Sequence, residues 1–171
     1  MKKIIAVIAA LSLALFVVGC ASTGPSPGMT EVQNARSNKP SDTLVGVSSN
    51  ADKAKSENSA RSQLIRALSS IAKNIATDYK AAGGAGGDAL EPEFIQAVAR
   101  VQLSGIETAK QHQEKKEWWT VYYLDKVSAQ KAIKQAEASA KEKVPAASAF
   151  NSDAYFEKAF KDAANREWAS N

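Results

Sequence analysis

The stretch that decides the fold class of this 171-residue chain is Trp118-Trp119-Thr120-Val121-Tyr122-Tyr123-Leu124. It is dense in aromatic and β-branched residues, which is typical of a β-strand, and we expect this strand to run from Glu117 to Asp125. Alternate residues of a strand point to opposite faces of the sheet, and here both faces are apolar. A sheet with one face open to water is therefore not expected, and other elements should cover both faces.

Two neighbouring segments supply partners for this strand. Residues 103–112 also have the composition of a strand, and the pair would be joined at residues 113–116. The segment Leu44–Ser49 is a further short strand candidate. Together these segments predict an antiparallel sheet of about three strands.

Between the first strand and the hairpin the sequence predicts two helices. Asn50 suits the N-cap of the first helix, and Asp52 would then lie in its first turn, near the positive end of the helix dipole. The glycine-rich run 83–87 ends this helix, and Pro92 suits the first position of the second helix. Apolar residues recur every three or four positions and so share one face: Leu64, Leu68, Ile71, Ile75 and Tyr79 in the first helix, and Phe94, Val98 and Val101 in the second.

Two more helices are predicted after the hairpin, one capped by Ser128 and ended by Pro145, and one from about Ser152 to Trp168. The last helix carries an apolar stripe with a spacing of four: Phe156, Phe160, Ala164 and Trp168. This stripe could pack on the domain's own sheet, on a partner helix or subunit, or on a membrane surface, although its polar face mixes acidic and basic residues, unlike an interfacial helix. The whole pattern predicts an α+β fold, with a short antiparallel sheet of about three strands, a long helix and additional C-terminal helices.

The N-terminus carries a secretion signal of the lipoprotein type. Lys2-Lys3 is followed by the apolar stretch Ile4–Val18 and then by Gly19-Cys20. A basic start, a short apolar core and a small residue before the cut site are the parts of a bacterial signal peptide. A transmembrane span would need about 20 apolar residues, which is more than this stretch offers. We therefore expect cleavage before Cys20 and acylation of its thiol, so that acyl chains anchor the protein in the membrane.

These features divide the chain into a signal peptide (residues 1–19), a lipidated cysteine with a flexible tether (residues 20–42) and a single α+β domain (residues 43–171). The tether is rich in Pro, Gly, Ser, Thr and Asn and has no apolar period, so it buries too little surface to offset its ordering entropy. As a coil of about 22 residues it would reach on the order of 25 Å.

Ala21 follows the cysteine in place of Asp, which resembles the sorting pattern for the outer membrane. There the domain would face the periplasm or the cell surface.

The composition of the mature chain narrows the classes of function. Cleavage before Cys20 leaves 152 residues and lowers the formal net charge from +4 to +2, because Lys2 and Lys3 are removed. That charge argues against nucleic-acid binding, which needs a clustered basic surface. Cys20 is the only cysteine of the chain, so its lipidation leaves the mature protein without a disulfide or a catalytic thiolate.

Three short motifs lie in order within about residues 43–130: Val45-Gly46-Val47-Ser48, Ala60-Arg61-Ser62-Gln63-Leu64 and Trp119-Thr120-Val121-Tyr122-Tyr123-Leu124-Asp125. Following a lipidated cysteine and a tether, they resemble the Lpp-twenty-type family of bacterial membrane lipoproteins. The resemblance implies a small α+β unit, with a short antiparallel sheet packed on a long helix, that is anchored to the outer membrane and has no enzyme activity. In some members it also implies an association with the flagellum or the cell surface. The long last helix departs from the minimal family pattern, so the family's oligomer geometry is not carried over.

No motif for catalysis, metal binding or phosphate binding stands out in the sequence. His112 is the only histidine, without the further ligands or the orienting partner that a metal site or an acid–base site needs, and we interpret it as a solvated residue at the end of a strand. The run Gly83–Gly87 lacks the Gly-Lys-Ser/Thr of a phosphate loop, and we interpret it as a helix stop. Asp88, Glu91 and Glu93 are interpreted as acids that complement a helix start. We therefore predict no catalytic residue, no metal and no cofactor.

The sequence favours a non-enzymatic, lipid-anchored envelope protein that acts through protein–protein contacts or self-assembly. A small domain would struggle to bury two adjacent tryptophans, so some aromatic surface should remain for a partner. The alternative is an envelope module that binds a glycan or a peptide with the aromatic strand, and a hydrolase is the least favoured reading. Beside the lipidation site Cys20, the candidate interface residues are Trp118, Trp119, Tyr122, Tyr123, Phe156, Phe160 and Trp168.

Overall fold

A computed structural model of the chain describes residues 34, 37, 39, 40 and 42–169, with side chains described no further than Asn165. Within these residues one three-stranded antiparallel sheet packs against a long helix, and further helices follow, which confirms the predicted α+β fold class. The elements, in chain order, are β1 (Thr43–Asn50), α1 (Lys53–Ala81), α2 (Gly87–Arg100), β2 (Ile106–Glu114), β3 (Glu117–Asp125), α3 (Lys126–Lys143), a short 3-10 helix (Pro145–Ala147) and α4 (Asp153–Ala169).

The aromatic strand β3 lies in the centre of the sheet. It pairs antiparallel with β1 on one side and with β2 on the other, which gives the strand order β1-β3-β2. On β1 the register places Val47 opposite Val121, whereas the register on β2 shifts between Thr108 and Lys110 and marks a bulge. The segment richest in aromatic and β-branched residues thus occupies the one position of this sheet with a neighbour on both sides.

The inner face of the sheet packs on α1. Leu44 of β1 and Leu124 of β3 are completely buried there. Strand and helix approach each other closely at Gly46, where a Cβ would collide with the backbone carbonyl of Ala60. The apolar residues predicted to share one face of this helix are all buried, which confirms that prediction: Leu64, Leu68, Ile71, Ile75 and Tyr79.

The remaining helices extend the same core. Both α2 and α4 pack against α1, and α3 packs against α2. Phe150 lies at the centre of an aromatic group, with its ring centroid 5.0 Å from that of Tyr79 and 5.3 Å from that of Phe94, both in edge-to-face geometry. Such pairs stabilise beyond the area that they bury. The four helices and the inner face of the sheet therefore share one continuous apolar core.

Aspartates cap α1 and α3, and neither is the residue predicted for that cap. Asn50 is the last residue of β1, and Asp52 caps α1 by accepting a hydrogen bond from the backbone N–H of Lys55 at 3.0 Å. Asp125 caps α3 by accepting from the backbone N–H of Ser128 at 2.8 Å. The predicted caps Asn50 and Ser128 are therefore wrong. A cap residue needs an extended backbone at the helix boundary, and both aspartates have it.

The second helix begins earlier than predicted. It starts at Gly87, and Pro92 lies inside it. The carbonyl of Gly86 accepts a hydrogen bond from the N–H of Leu90 at 2.9 Å, so the first turn is already closed before the proline. Glycine is suited to this boundary because Gly86 has a φ of 71°, in the left-handed region.

The second strand begins later than predicted, at Ile106 and not at Leu103. Gly105 precedes it with a φ of 78°, a conformation that interrupts extended backbone. A Cβ at Gly105 would also collide with the side chain of Ser128 at the start of α3. Close packing against α3 therefore sets the start of β2.

The outer face of the sheet, opposite α1, carries a small apolar cluster of its own. Val45 and Val47 of β1 and Val121 of β3 are almost completely buried, and Tyr123 packs against them. Within the described part of the chain this cluster consists of strand residues. The apolar character predicted for both faces of β3 thus corresponds to two separate clusters, one on each face.

The chain enters the domain at the end of the sheet far from the hairpin turn. The carbonyl of Asp42 accepts a hydrogen bond from the N–H of Lys126 at 2.9 Å. The ammonium group of Lys39 donates to the carbonyl oxygens of Thr43 at 2.9 Å and Ala164 at 3.5 Å. These hydrogen bonds therefore hold Lys39 and Asp42, just before β1, beside the start of α3 and the later part of α4.

Candidate functional site

Three of the candidate interface residues lie at the surface of the hairpin. Trp118, Trp119 and Tyr123 are half-buried. Tyr122 is only 6% exposed and belongs to the core shared with α1, where the guanidinium carbon of Arg61 lies 5.8 Å from its ring centroid. The strand therefore gives one aromatic ring to the core and presents three at its surface.

The aromatic stripe of α4 packs inside the domain. Phe156 and Phe160 are 2% and 3% exposed, their ring centroids lie 5.5 Å apart, and both belong to the central core. The helix contacts chiefly α1. Phe156 and Phe160 therefore lie inside their own domain, but the helix that carries them packs on α1 and not on the sheet, which was the environment considered from the sequence. The side chain of Trp168, at the end of the stripe, lies outside the described residues.

Trp118 lies on the inner face at the turn end of β3, opposite Asn50 of β1. The Nζ atom of Lys53, in the first turn of α1, lies 5.3 Å from the centroid of the Trp118 ring. The same ammonium group lies 3.9 Å from the carboxylate of Glu57. A cation over the face of an indole is an attractive arrangement, so Lys53 is held beside Trp118 at the surface.

A polar network fixes this end of the hairpin to α1. The hydroxyl of Ser56 lies 3.0 Å from the carbonyl of Ser48 and 3.0 Å from the hydroxyl of the buried Thr120. Gln111 of β2 donates from Nε2 to the carboxylate of Glu57 at 2.8 Å. Satisfied buried polar groups hold a structure in one arrangement. In the sequence, the one signal for this network is Thr120, a polar residue in the apolar row of β3.

Trp119 and Tyr123 lie on the outer face, on either side of Val121. The register places Trp119 between Ser49 of β1 and His112 of β2. Partial burial raises the pKa of the Tyr123 hydroxyl above its ordinary value. Tyr123 also borders a shallow depression of about 290 Å³, whose other lining residues are Pro40, Asp42, Thr43, Glu107 and Asp125.

A two-residue turn, Lys115-Lys116, joins β2 to β3. Both lysines are exposed, and both have a positive φ, 47° for Lys115 and 73° for Lys116. Hairpin turns of this length favour Asn-Gly, since most side chains avoid the left-handed region. Glu114 and Glu117 face each other at the base of the turn. The tip of the hairpin therefore exposes two ammonium groups, and both lysines adopt a backbone conformation that lysine does not favour.

The described residues contain no group of three or more His, Cys, Asp or Glu side chains that could hold a metal ion. His112 is half-buried within β2, opposite Trp119, and not at the strand end where it was expected. The expected absence of catalytic residues and of cofactors stays a prediction. What the geometry does assemble is an aromatic and charged surface at the hairpin.

The lipidation site Cys20, the signal peptide and most of the predicted tether lie outside the described residues. Where the structure describes the chain, none of its helices has the length and the apolar content to cross a bilayer. The lipid anchor and the outer-membrane location therefore stay predictions from the sequence.

Comparisons with protein-family models, with curated proteins and with solved structures found no match to this chain. The family resemblance carried by the three sequence motifs thus stays a prediction.

Proposed function

We propose that this protein is a lipid-anchored, non-enzymatic component of the bacterial cell envelope, and that its domain acts by binding a protein partner through the aromatic surface of its hairpin. The observation that carries this proposal is the partial exposure of Trp118, Trp119 and Tyr123. Large aromatic side chains supply much of the binding energy in protein interfaces.

The helical side of the domain has the character of an ordinary solvated surface, which favours the hairpin as the contact. Ion pairs cross between its helices, for example Lys126–Glu157 and Lys143–Glu93, the latter at 2.7 Å. Surface pairs of this kind contribute little to binding a partner or to stability. Val127 is the one large aliphatic residue that is mostly exposed in the described part of the chain. The apolar surface that we take as the contact is therefore the group of three half-buried aromatic side chains on β3.

A photoreactive amino acid at position 119, incorporated in living cells, tests the proposed contact. We expect discrete protein adducts from position 119 and none from position 131, an exposed site on α3 that serves as the control. Adducts that carry the mass of a second copy would identify self-assembly, and any other discrete mass would identify a different partner. The absence of adducts at 119, or equal adducts at both positions, would contradict the proposed protein contact.

The anchor is tested by replacing Cys20 with Ser. We expect the variant to escape acylation and normal processing, because the thiol is the acylated group and the cut precedes it. Intact-mass analysis of the membrane fraction should show acyl chains on the native mature protein and none on the variant. Native mature protein with an unmodified Cys20 would show that the anchor is wrong.

A further inference from the structure

The outer face of the sheet is buried, although the described helices share their core with its inner face. Val45, Val47 and Val121 are 7%, 6% and 3% exposed. Within the described part of the chain, the cluster that they form contains only strand residues, with Tyr123 packed against it. Valine methyl groups in the middle of an uncovered sheet face would be open to water. Since this burial is found in a single chain, it favours a cover that comes from the same chain.

The chain reaches β1 from the side of this outer face. Pro40 lines the same depression as Tyr123 and Glu107, which lie opposite each other on the outer face. Lys39, one residue earlier, is held to the domain by hydrogen bonds to backbone carbonyls, the shorter at 2.9 Å. The residues that precede Lys39 therefore start beside the face that lacks a described cover.

The sequence before Lys39 contains one segment whose composition suits this face. Residues 29–38 include neither Pro nor Gly, whereas Gly28 and Pro40 bound them on either side. Met29, Val32 and Ala35 recur at every third position of the segment. Such a spacing places apolar side chains on one side of a helix. The segment can therefore present a short apolar stripe to the sheet.

Asn34 and Ser37 show which side of this segment meets solvent. Both are helical and exposed, and their spacing of three places them on the same side of a helix. Val32 lies two residues from Asn34, about 200° around a helix and hence on the opposite side. A helix of ten residues is about 15 Å long, and the buried part of β1, from Thr43 to Val47, spans about 13 Å. The segment is thus long enough to cover that part of the strand.

We propose that residues 29–38 dock as a helix on the outer face of the sheet, with the apolar stripe on the valine cluster and with Asn34 and Ser37 in solvent. This docked segment supplies the second cover that a strand with two apolar faces needs. It goes beyond the protein contact proposed above. If the lipid anchor is correct, docking shortens the free tether to residues 21–28, which as a coil reach on the order of 15 Å. The domain is then held closer to the membrane than the full tether would allow.

The docked segment should add little to the melting temperature of the domain. Ordering ten residues costs conformational entropy, and the apolar contact that offsets this cost is small. The distance between segment and sheet, and the access of reagents to the sheet, are therefore the quantities that test the docking.

Disulfide formation tests the distance. Mature lipidated protein in detergent micelles carries Val32→Cys together with one further cysteine, at position 45, 47 or 121. With the thiol of Cys20 acylated, these are its only free thiols. After mild oxidation we expect a disulfide within one chain in at least one of the three pairs, since a disulfide needs Cβ atoms about 3.5–4.5 Å apart.

The matched control is Asn34→Cys, which lies on the exposed side of the same segment and should form no disulfide with the same three positions. Mass spectrometry of the intact protein and of its peptides identifies the linked pairs. Absence of a disulfide from all three Val32→Cys pairs, or equal yields from Asn34→Cys, would overturn the docking.

Thiol labelling tests the access to the face. Val121→Cys should react slowly with a maleimide, and at least about fivefold faster when Val32→Asp is added, because an unpaired charge is costly in an apolar contact. Asn34→Asp is the control for the added charge and should leave the rate unchanged. Val98→Cys, completely buried in α2, should stay slow in every chain, which shows that the core is intact. Rapid labelling of Val121→Cys without Val32→Asp would show that the face is open and would overturn the docking.

Two other occupants of the face give different results. A second copy would make the labelling rate of Val121→Cys depend on protein concentration. The end of the chain would be the cover if removal of residues 166–171 raised that rate while Val32→Asp did not. Either result would overturn the assignment of residues 29–38. An unmodified Cys20 in the same mass spectra concerns the anchor alone, and the protein adducts at position 119 report separately on the proposed protein contact.

Discussion

Single residues control how closely β1 and α1 approach each other. Gly46 has no Cβ, and this lets the strand lie against the carbonyl of Ala60. Leu68 is completely buried in the core that α1 shares with the inner face of the sheet. A side chain added at position 46, or methyl groups removed at position 68, would disturb this packing, since cores are packed without spare volume.

Replacing Leu68 with Ala should lower the free energy of unfolding by about 2–5 kcal/mol, because the substitution removes buried methyl groups and leaves a cavity. Chemical denaturation of the native and variant proteins measures this difference. The matched control is Lys73→Ala, an exposed position on the same helix, which should change stability by less than about 0.5 kcal/mol. A change this small for Leu68→Ala as well would show that the side chain does not contribute to the core.

At the scale of elements, the junction of β3 and α3 is determined by one carboxylate. Asp125 ends the strand and accepts hydrogen bonds from the N–H and from the hydroxyl of Ser128, both at 2.8 Å. These hydrogen bonds hold the pKa of the Asp125 carboxyl below its ordinary value of 3.8. The ionised carboxylate is therefore the form that the folded protein stabilises.

Replacing Asp125 with Ala should lower stability by about 1 kcal/mol at neutral pH, which is typical for the loss of an N-cap. A folded-state pKa below the unfolded value means that this contribution is fully present above about pH 4 and is lost as the pH falls through the folded-state pKa. The difference in stability between native and variant proteins should therefore narrow in acid.

Urea denaturation at a series of pH values measures this narrowing. Glu142→Ala, at an exposed position on α3, serves as the control for removing a carboxylate from the same helix. A difference between the native protein and Asp125→Ala that is independent of pH would show that the charge of Asp125 has no part in the cap.

At the scale of the whole molecule, the two ends of the described chain meet on one side of the domain. Lys39 donates to the carbonyl of Ala164 in α4, and the carbonyl of Asp42 accepts from the N–H of Lys126 at the start of α3. The side chain of Lys126 in turn pairs with Glu157 of α4. The residues just before β1 therefore belong to the packing of the domain, although their composition resembles that of the tether.

Two truncated chains test this boundary. A chain that begins at Lys39 should melt cooperatively, close to the temperature of the mature protein, since it retains the contacts of Lys39 and Asp42. A chain that begins at Thr43 loses those hydrogen bonds, and we expect its melting temperature to fall by about 3–8 °C. Circular dichroism during heating measures both values.

Either of two results would contradict this expectation. Equal melting of the two truncated chains would show that the contacts of Lys39 and Asp42 contribute nothing to stability. A large loss already in the chain that begins at Lys39 would show that the predicted tether packs on the domain, against the expectation from its composition.

The elements of the fold could be predicted because their signals are local. The spacing of Leu64, Leu68 and Ile71 marks one face of a helix, and the alternation in residues 118–124 marks a strand, whatever lies around them. Helix starts were predicted less well. Two residues near a boundary can both serve as a cap, and the backbone conformation at Asp52 and Asp125 decides between them.

The fold class, the apolar faces of the helices and the strand, and the prediction of a lipidated Cys20 follow from the sequence alone, because each depends on residues close together in the chain. Which aromatic rings remain at the surface depends instead on how the elements pack. Tyr122 and Trp119 are equally suited to a strand, but the face that meets α1 buries Tyr122, while Trp119 on the outer face stays half-exposed. Burial depends on contacts between segments distant in the chain, such as β3 and α1, and no local pattern contains them.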